Sequence, residues 1–226
     1  MKVERRSGLA AAPEARGTLV VIDVLRAFTT AACAFARGAR EIELVSTLEQ
    51  AFERKRADPT LVLVGEEEGR PVPGFDFGNS PPTLLAAELA GRRLVLRSTA
   101  GTQGVVAGVN ARTIVLGSLV VARATARLVR ALDADATLLA MGSPKGGRGD
   151  EDEVCAELLE ARLAGRELDL DEVRRRVRES RAGQKALDPE VEWISAGDLE
   201  IAQQVDRFDF AMRVERLGGR LVARAT

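Results

Sequence analysis

The feature that most constrains this chain is a repeated beat: a short, almost wholly apolar run rich in β-branched residues, followed by a stretch with helical spacing. Residues 18–24 (TLVVIDV) make the first such run, and residues 26–37 make a helix-like stretch closed by Gly38. Glu41–Val45 reads as a second strand, with Ser46 and Glu49 giving a capping-box signature ahead of a helix over residues 47–56. Residues 61–64 (LVLV) form a third strand, and a proline-rich loop then runs to about Pro82, too long to be mere connection. Ser80 followed by Pro81 and Pro82 predicts an N-cap and first turn, with the helix stopping at Gly91. The beat continues through strands at Arg93–Arg97, residues 113–116 and residues 137–141. A glycine-rich loop, 142–149, leads to a helix opening on Asp150, Glu151, Asp152 and Glu153.

Strands that are apolar at consecutive positions need cover on both faces. The pattern therefore predicts an α/β fold of three layers, αβα, around a mostly parallel sheet. A chain of 226 residues can bury roughly 70 to 75% of its unfolded surface, so residues 1–226 are expected as a single domain with no disulfide or metal staple. The C-terminal part breaks the beat. Residues 167–186 are charged and helical, residues 195–205 form another helix, and residues 213–217 and 220–223 flank Gly218 and Gly219 like an antiparallel hairpin. The segment 167–226 is expected as a cap or sheet edge, and residues 1–17 as an exposed arm or a first strand.

Composition narrows the chemistry. There is no histidine, which removes Ser-His-Asp and Cys-His nucleophiles, His-ligated zinc and His general bases. Lys and Arg number 33 against 34 Asp and Glu, so no global field draws in nucleic acid or an anionic membrane. The arginines of residues 174–181 are interleaved with Glu179 and preceded by Glu172, the pattern of a solvated helix face. No apolar run approaches the roughly 18 residues of a membrane span, and the N-terminus lacks an apolar signal region, so a cytoplasmic location is expected. Cys33 and Cys155 lack the Arg spacing of cysteine-based phosphatases and read as small core residues. No G-x-x-x-x-G-K-[ST], G-x-G-x-x-G or G-x-S-x-G motif occurs.

In open parallel sheets, ligands bind outside the carboxyl ends of the strands. Those positions here are polar: Asp23 and Arg26, then Glu66, Glu67 and Glu68, then Asp76, Asn79 and Ser80 in the long loop. Later strands deliver Ser98, Thr99, Thr102 and Gln103, then Ser118, then Lys145, Arg148, Glu151 and Asp152. Carboxylates from several loops, without His or a Cys cluster, suit a hard cation such as Mg²⁺. The segments GNS and TAGT, each opening onto a helix, can aim backbone N–H groups at an anion. Together they predict a phosphate site with a metal.

Asp23-Val24-Leu25-Arg26-Ala27, Gly65-Glu66, GFDFGNSP from Gly74 to Pro81, STAGTQ from Ser98 to Gln103, Gly117-Ser118, and Glu151-Asp152 with Cys155-Ala156 follow one another in a distinctive order. In that order and spacing the chain resembles the 2-phosphosulfolactate phosphatases of coenzyme M biosynthesis, the ComB family, over residues 18–210. The resemblance implies a magnesium-dependent phosphatase acting on a small, multiply anionic hydroxy-acid phosphate, leaving 3-sulfolactate and inorganic phosphate. Two departures touch the pocket: Ala100 stands where many relatives have Asn, and Glu67 where a basic residue often follows Gly-Glu.

On this reading Glu66, Asp76, Glu151 and Asp152 are a pool from which Mg²⁺ takes its ligands. Arg26 and the groups of Asn79, Ser80, Thr99, Gly101, Thr102 and Gln103 hold phosphoryl oxygens. Asp23 is the nucleophile or general base, and Asp23 and Arg26 are the catalytic pair. A phosphatase of the same family acting on another small phosphoester, or a non-enzymatic anion-binding module, are the alternatives, and a homodimer is left open.

Overall fold

The computed structural model describes residues 1–142 and 150–226; Lys145 and Arg148 lie outside them. The chain opens with strand β1 (Val3–Ser7), a 3-10 turn (Leu9–Glu14) and β2 (Thr18–Ile22), then α1 (Ala27–Ala36), β3 (Glu41–Val45), α2 (Leu48–Ala57) and β4 (Val62–Glu67). The long loop holds the two-residue strands β5 (Arg70–Pro71) and β6 (Phe77–Gly78), and leads to α3 (Pro81–Ala86). Then come β7 (Arg93–Arg97), α4 (Gly101–Ala107), β8 (Thr113–Gly117), α5 (Ala122–Leu132), β9 (Ala136–Ala140) and α6 (Asp150–Leu163). The C-terminal part holds α7 (Leu170–Glu179), α8 (Arg181–Leu187), α9 (Ala196–Ala202) and the hairpin β10 (Met212–Leu217) and β11 (Arg220–Ala225).

The fold is α/β, with a large, mostly parallel sheet and helices on both sides. The strands run in the order β1-β9-β2-β8-β10-β11-β3-β7-β4-β5, with β6 also on β4. One parallel block is β1, β9, β2 and β8, and the other is β3, β7 and β4. One sheet face, including Leu19, Val21, Leu116, Val214, Leu44 and Leu96, packs with Phe28 of α1, Leu84 of α3 and Val105 of α4. On the other face Val20, Ile22 and Leu138 meet α5 to α9, while Leu63 and Val95 meet Ala51 and Phe52 of α2.

The sequence expectation of an edge or cap fails for the hairpin. β10 pairs with β8 and β11 with β3, both antiparallel, so the hairpin joins the two parallel blocks at the centre of the sheet. Its alternation of apolar and charged residues marks one face left without a helix. There, ion pairs substitute for helical cover: Arg224 to Glu41 at 2.8 Å, and Arg54 and Arg220 to Glu43 at 2.7 and 3.6 Å. Residues 3–7 are a first strand, paired in parallel with β9 at the sheet edge.

Two local expectations shift. The capping box ahead of α2 is Thr47 with Gln50, one residue on from Ser46 and Glu49. Helix α3 ends at Ala86, because Ala87 turns extended and Leu89 is drawn into the core before Gly91 is reached. Among the described residues no helix is long and apolar enough to cross a membrane.

Candidate active site

Asp23 follows β2 directly, where the chain turns into α1. Its carboxylate Oδ1 accepts the N–H of Ala27 at 3.0 Å, in the first turn of α1, and Oδ2 accepts the N–H of Gly101 at 2.9 Å, in the first turn of α4. One carboxylate thus caps two helices from different sheet blocks. Gly101 is required for the approach, since a Cβ there would stand 2.7 Å from Asp23 Oδ2 and 3.0 Å from the Phe28 ring. Asp23 is nearly buried, and burial, helped by the neighbouring Glu66, lifts its carboxyl to about 6 against the opposing pull of the Ala27 and Gly101 amides.

Glu66 ends the apolar part of β4. Gly65 before it has φ 146° and no room for a side chain, because the Arg97 carbonyl of β7 sits where a Cβ would be. Glu66 Oε1 accepts the N–H of Thr99 at 2.5 Å, and Oε2 accepts the Thr99 hydroxyl at 2.9 Å and the N–H of Gly69. Thr99 Oγ1 in turn accepts the N–H of Glu68 at 2.7 Å. Glu66 and Thr99 therefore lock the ends of β4 and β7 together at the cavity.

Asp76, expected among the metal ligands, is not brought there. Strand β6 runs parallel to β4, pairing Phe77 with Val64 and Gly78 with Gly65, so residue 76 lies back toward the start of β4. Asp76 accepts the N–H of Leu63 at 2.7 Å and pairs with Lys55 at 3.0 Å, bracing α2 to the sheet. The same geometry carries Asn79 forward to the level of Glu66. Its buried amide oxygen Oδ1 has no hydrogen-bond partner among the described residues, and Asn79 lines the cavity.

Glu151 and Asp152 come from the first turn of α6. Asp152 Oδ1 accepts the N–H of Val24 at 2.7 Å and Oδ2 the N–H of Gly142 at 2.9 Å, fastening α6 to the ends of β2 and β9. Burial, then the charges of Glu151 and Asp23, push the Asp152 carboxyl well above the usual carboxylate range. Burial likewise raises Glu151 to about 7, with Asp23 and Asp150 adding to the rise and Ser180 opposing it.

These groups open on a cavity of about 600 Å³, lined by Asp23, Glu66, Thr99, Glu151 and Asp152. Arg26 also lines it, 7% exposed, its Nη2 donating to the Gly69 carbonyl at 3.0 Å and its Nη1 to the Trp193 carbonyl and to Asp198 at 3.4 Å. Burial lowers the guanidinium pKa, with Asp198 and Glu66 acting against it. Cationic groups line the same cavity: Arg70, stacked 4.1 Å over the Trp193 ring, with Arg181 and Lys185 of α8.

Several predicted site residues are spent elsewhere. Thr102 and Ser98 cap each other, with Ser98 N–H on Thr102 Oγ1 at 2.9 Å and Thr102 N–H on Ser98 Oγ at 3.0 Å. Gln103 donates to the Ser46 and Ser98 carbonyls, and the Gly101 amide belongs to Asp23. Ser80 donates to Asp198 at 2.9 Å, and buried Ser118 bonds Thr29 at 2.6 Å. Cys33 and Cys155 are buried in α1 and α6, and burial pushes both thiols up, Cys33 to about 12, so neither is a ready nucleophile.

Sequence reasoning missed Asp198, Trp193, Arg70, Arg181 and Lys185. Asp198 had a signal, the Ser195-x-x-Asp198 capping box, in which Ser195 and Asp198 cap each other reciprocally. Arg70, Arg181 and Lys185 carried none beyond their charge, and Trp193 none at all.

Among the described residues no three acidic or cysteine side chains form a ready metal cluster. Mg²⁺ asks for less, one or two carboxylates completed by waters and substrate oxygens. Buried carboxylates that raise one another's pKa, beside an unpartnered Asn79 oxygen, fit such an ion.

A family model described as 2-phosphosulpholactate phosphatase matches residues 6–214. A protein of Bacillus subtilis strain 168 named probable 2-phosphosulfolactate phosphatase is 32% identical over 200 residues, 88% of this chain and 87% of the relative. One of Thermoplasma acidophilum with the same name is 32% identical over 203 residues, 90% of this chain and 87% of the relative. A third, from Carboxydothermus hydrogenoformans, is 44% identical over 125 residues, 55% of this chain and 52% of the relative.

Proposed function

The chain belongs to the 2-phosphosulpholactate phosphatase family, and on that premise we propose that it is a Mg²⁺-dependent phosphatase converting 2-phosphosulfolactate to 3-sulfolactate and inorganic phosphate. The observation that carries the reading is the meeting of Asp23, Glu151 and Asp152, from the end of β2 and the start of α6, in one cavity that Arg26 also lines. Buried like charges are costly without a counter-ion or a proton. A fold that gathers them at a cavity has a use for the charge.

Hydrolysis breaks the bond between phosphorus and the ester oxygen and forms one from water oxygen to phosphorus, and the proton released by water ends on the leaving alkoxide. Glu151, with Asp152 beside it, would hold Mg²⁺, which when bound would neutralise charge on the phosphoryl oxygens. Asp23 is suited to attack phosphorus itself or to take the proton from water. Each of its oxygens accepts one backbone N–H and keeps a lone pair, and a pKa of about 6 leaves it ionised yet basic near neutral pH. Arg26 holds a fixed positive charge for the phosphoryl group, and the free oxygen of Asn79 is an acceptor, suited to the metal ion, a metal-bound water or a substrate hydroxyl.

The test is phosphate release from 2-phosphosulfolactate and a panel of small phosphorylated hydroxy acids, with Mg²⁺, with EDTA, and after Mg²⁺ is restored. Release that stops in EDTA and returns with Mg²⁺ is expected, fastest on 2-phosphosulfolactate. Undiminished release after metal removal would refute the metal requirement, and a faster ester elsewhere in the panel would replace the substrate.

A further inference from the structure

The cationic lining of the cavity is unexplained by the chemistry at phosphorus. Arg181 and Lys185 lie four residues apart on α8, which places their side chains as neighbours on one face of the helix, and both line the cavity. Neither side chain makes a hydrogen bond or ion pair with any of the described residues. In the preceding helix three of the four arginines are paired with acids. Arg174 pairs with Asp171 at 2.6 Å, Arg175 with Glu172 at 2.6 Å and Glu179 at 2.5 Å, and Arg176 with Glu157 at 2.6 Å. The two cations that line the cavity have no ion-pair partner among the described residues.

The cavity, at about 600 Å³, is of the size that holds small-molecule ligands and much larger than one phosphoryl group needs. Its carboxylates repel any further anionic group of a bound ester. We infer that Arg181 and Lys185 form a second anion site, which takes the carboxylate or sulfonate at the far end of the substrate and so selects multiply anionic esters. The identity of that ligand rests on the phosphatase reading. The site itself rests on two exposed cations, unpaired among the described residues, that line the same cavity as three buried carboxylates. Arg70 is held against Trp193 and forms the rim beside them rather than part of the pair.

The test is calorimetric titration of the full chain with 3-sulfolactate, which lacks a phosphoryl group, and separately with inorganic phosphate. Arg181→Gln and Lys185→Gln remove one charge each from exposed positions, and Lys185→Arg keeps it. Removing one charge-assisted hydrogen bond to the ligand should weaken 3-sulfolactate binding by about tenfold or more in each neutral variant. Phosphate should weaken by less than about threefold, and Lys185→Arg should retain most of the 3-sulfolactate affinity. Equal weakening of both ligands, unchanged 3-sulfolactate affinity, or no binding of 3-sulfolactate by the unaltered chain would overturn the site. Binding that depends on these two residues in a chain that releases phosphate from no ester would instead overturn the phosphatase reading and leave the site standing.

Discussion

Asp23→Asn separates two roles that the structure gives to one side chain. Asparagine keeps the shape and the acceptor facing Ala27, but it turns an N–H₂ group toward the N–H of Gly101, so one buried hydrogen bond is exchanged for two facing donors. That exchange costs about 1–3 kcal/mol. Against it stands the charge. The Asp23 carboxyl titrates at about 6 in the folded chain against an ordinary 3.8, so its ionised form costs the fold roughly 3 kcal/mol, which asparagine does not incur. The folded state binds the proton more tightly than the unfolded state does. The wild-type chain therefore loses this part of its stability as pH rises from about 4 through 6, and the variant does not.

Measured in EDTA, Asp23→Asn should be less stable than wild type by about 1–3 kcal/mol near pH 4 and close to it, or more stable, at pH 8. Turnover at pH 8 with Mg²⁺ should fall by about 10² or more with little change in KM, the scale of a lost general base or nucleophile. Denaturant melts across that pH range and steady-state kinetics on the one variant decide the matter. A variant that turns over at nearly the wild-type rate, and whose stability deficit is the same at pH 4 and pH 8, would show that Asp23 is a cap and nothing more. The proton acceptor would then be sought at Glu151.

Thr102→Val breaks the reciprocal Ser98–Thr102 cap and should cost about 1–3 kcal/mol in a thermal or denaturant melt, with kcat and KM nearly unchanged; a selective rise in KM would restore Thr102 to the phosphate site. Replacing Cys33 or Cys155 with Ala should lower stability and leave turnover within a few-fold, since both thiols are buried away from the cavity; abolished turnover in a folded Cys155→Ala chain would make the thiol part of the chemistry.

How far the sequence could be read depends on what each residue type reports. Apolar runs report burial on two faces, and burial fixes a strand whatever its neighbours are, so β2, β3, β7 and β8 lie within a residue or two of where periodicity puts them. Polar residues after strands report only that they are not core. Asp23, Glu66, Thr99, Glu151 and Asp152 do meet at one cavity, but Thr102, Gln103 and Ser80 occupy equivalent positions and are consumed by neighbouring carbonyls, hydroxyls and Asp198. Which donor takes which acceptor is settled by distances of a few tenths of an ångström, and no spacing rule carries that. Asp76 shows the same limit at larger scale, because the parallel return of β6 moves it about 10 Å down β4 from Glu66.

Sheet twist lets strand ends from both blocks share a cavity although the central hairpin reverses the strand direction between them. Passing from β8 through β10 and β11 to β3 reverses direction three times, so β7 is antiparallel to β2 along the ladder, and in a flat sheet their carboxyl ends would point apart. The sheet is not flat. Five steps separate β2 from β7, and at about 20–25° of twist per step the strands rotate by roughly 100–125° relative to one another, which undoes most of the reversal. Helix α4, launched from β7, then lands on the first block, with Gly104 against Val21 and Met141 and Gly101 against Asp23. The Asp23–Gly101 hydrogen bond is thus the point where the two blocks close on each other, and the carboxylate that makes it also faces the cavity.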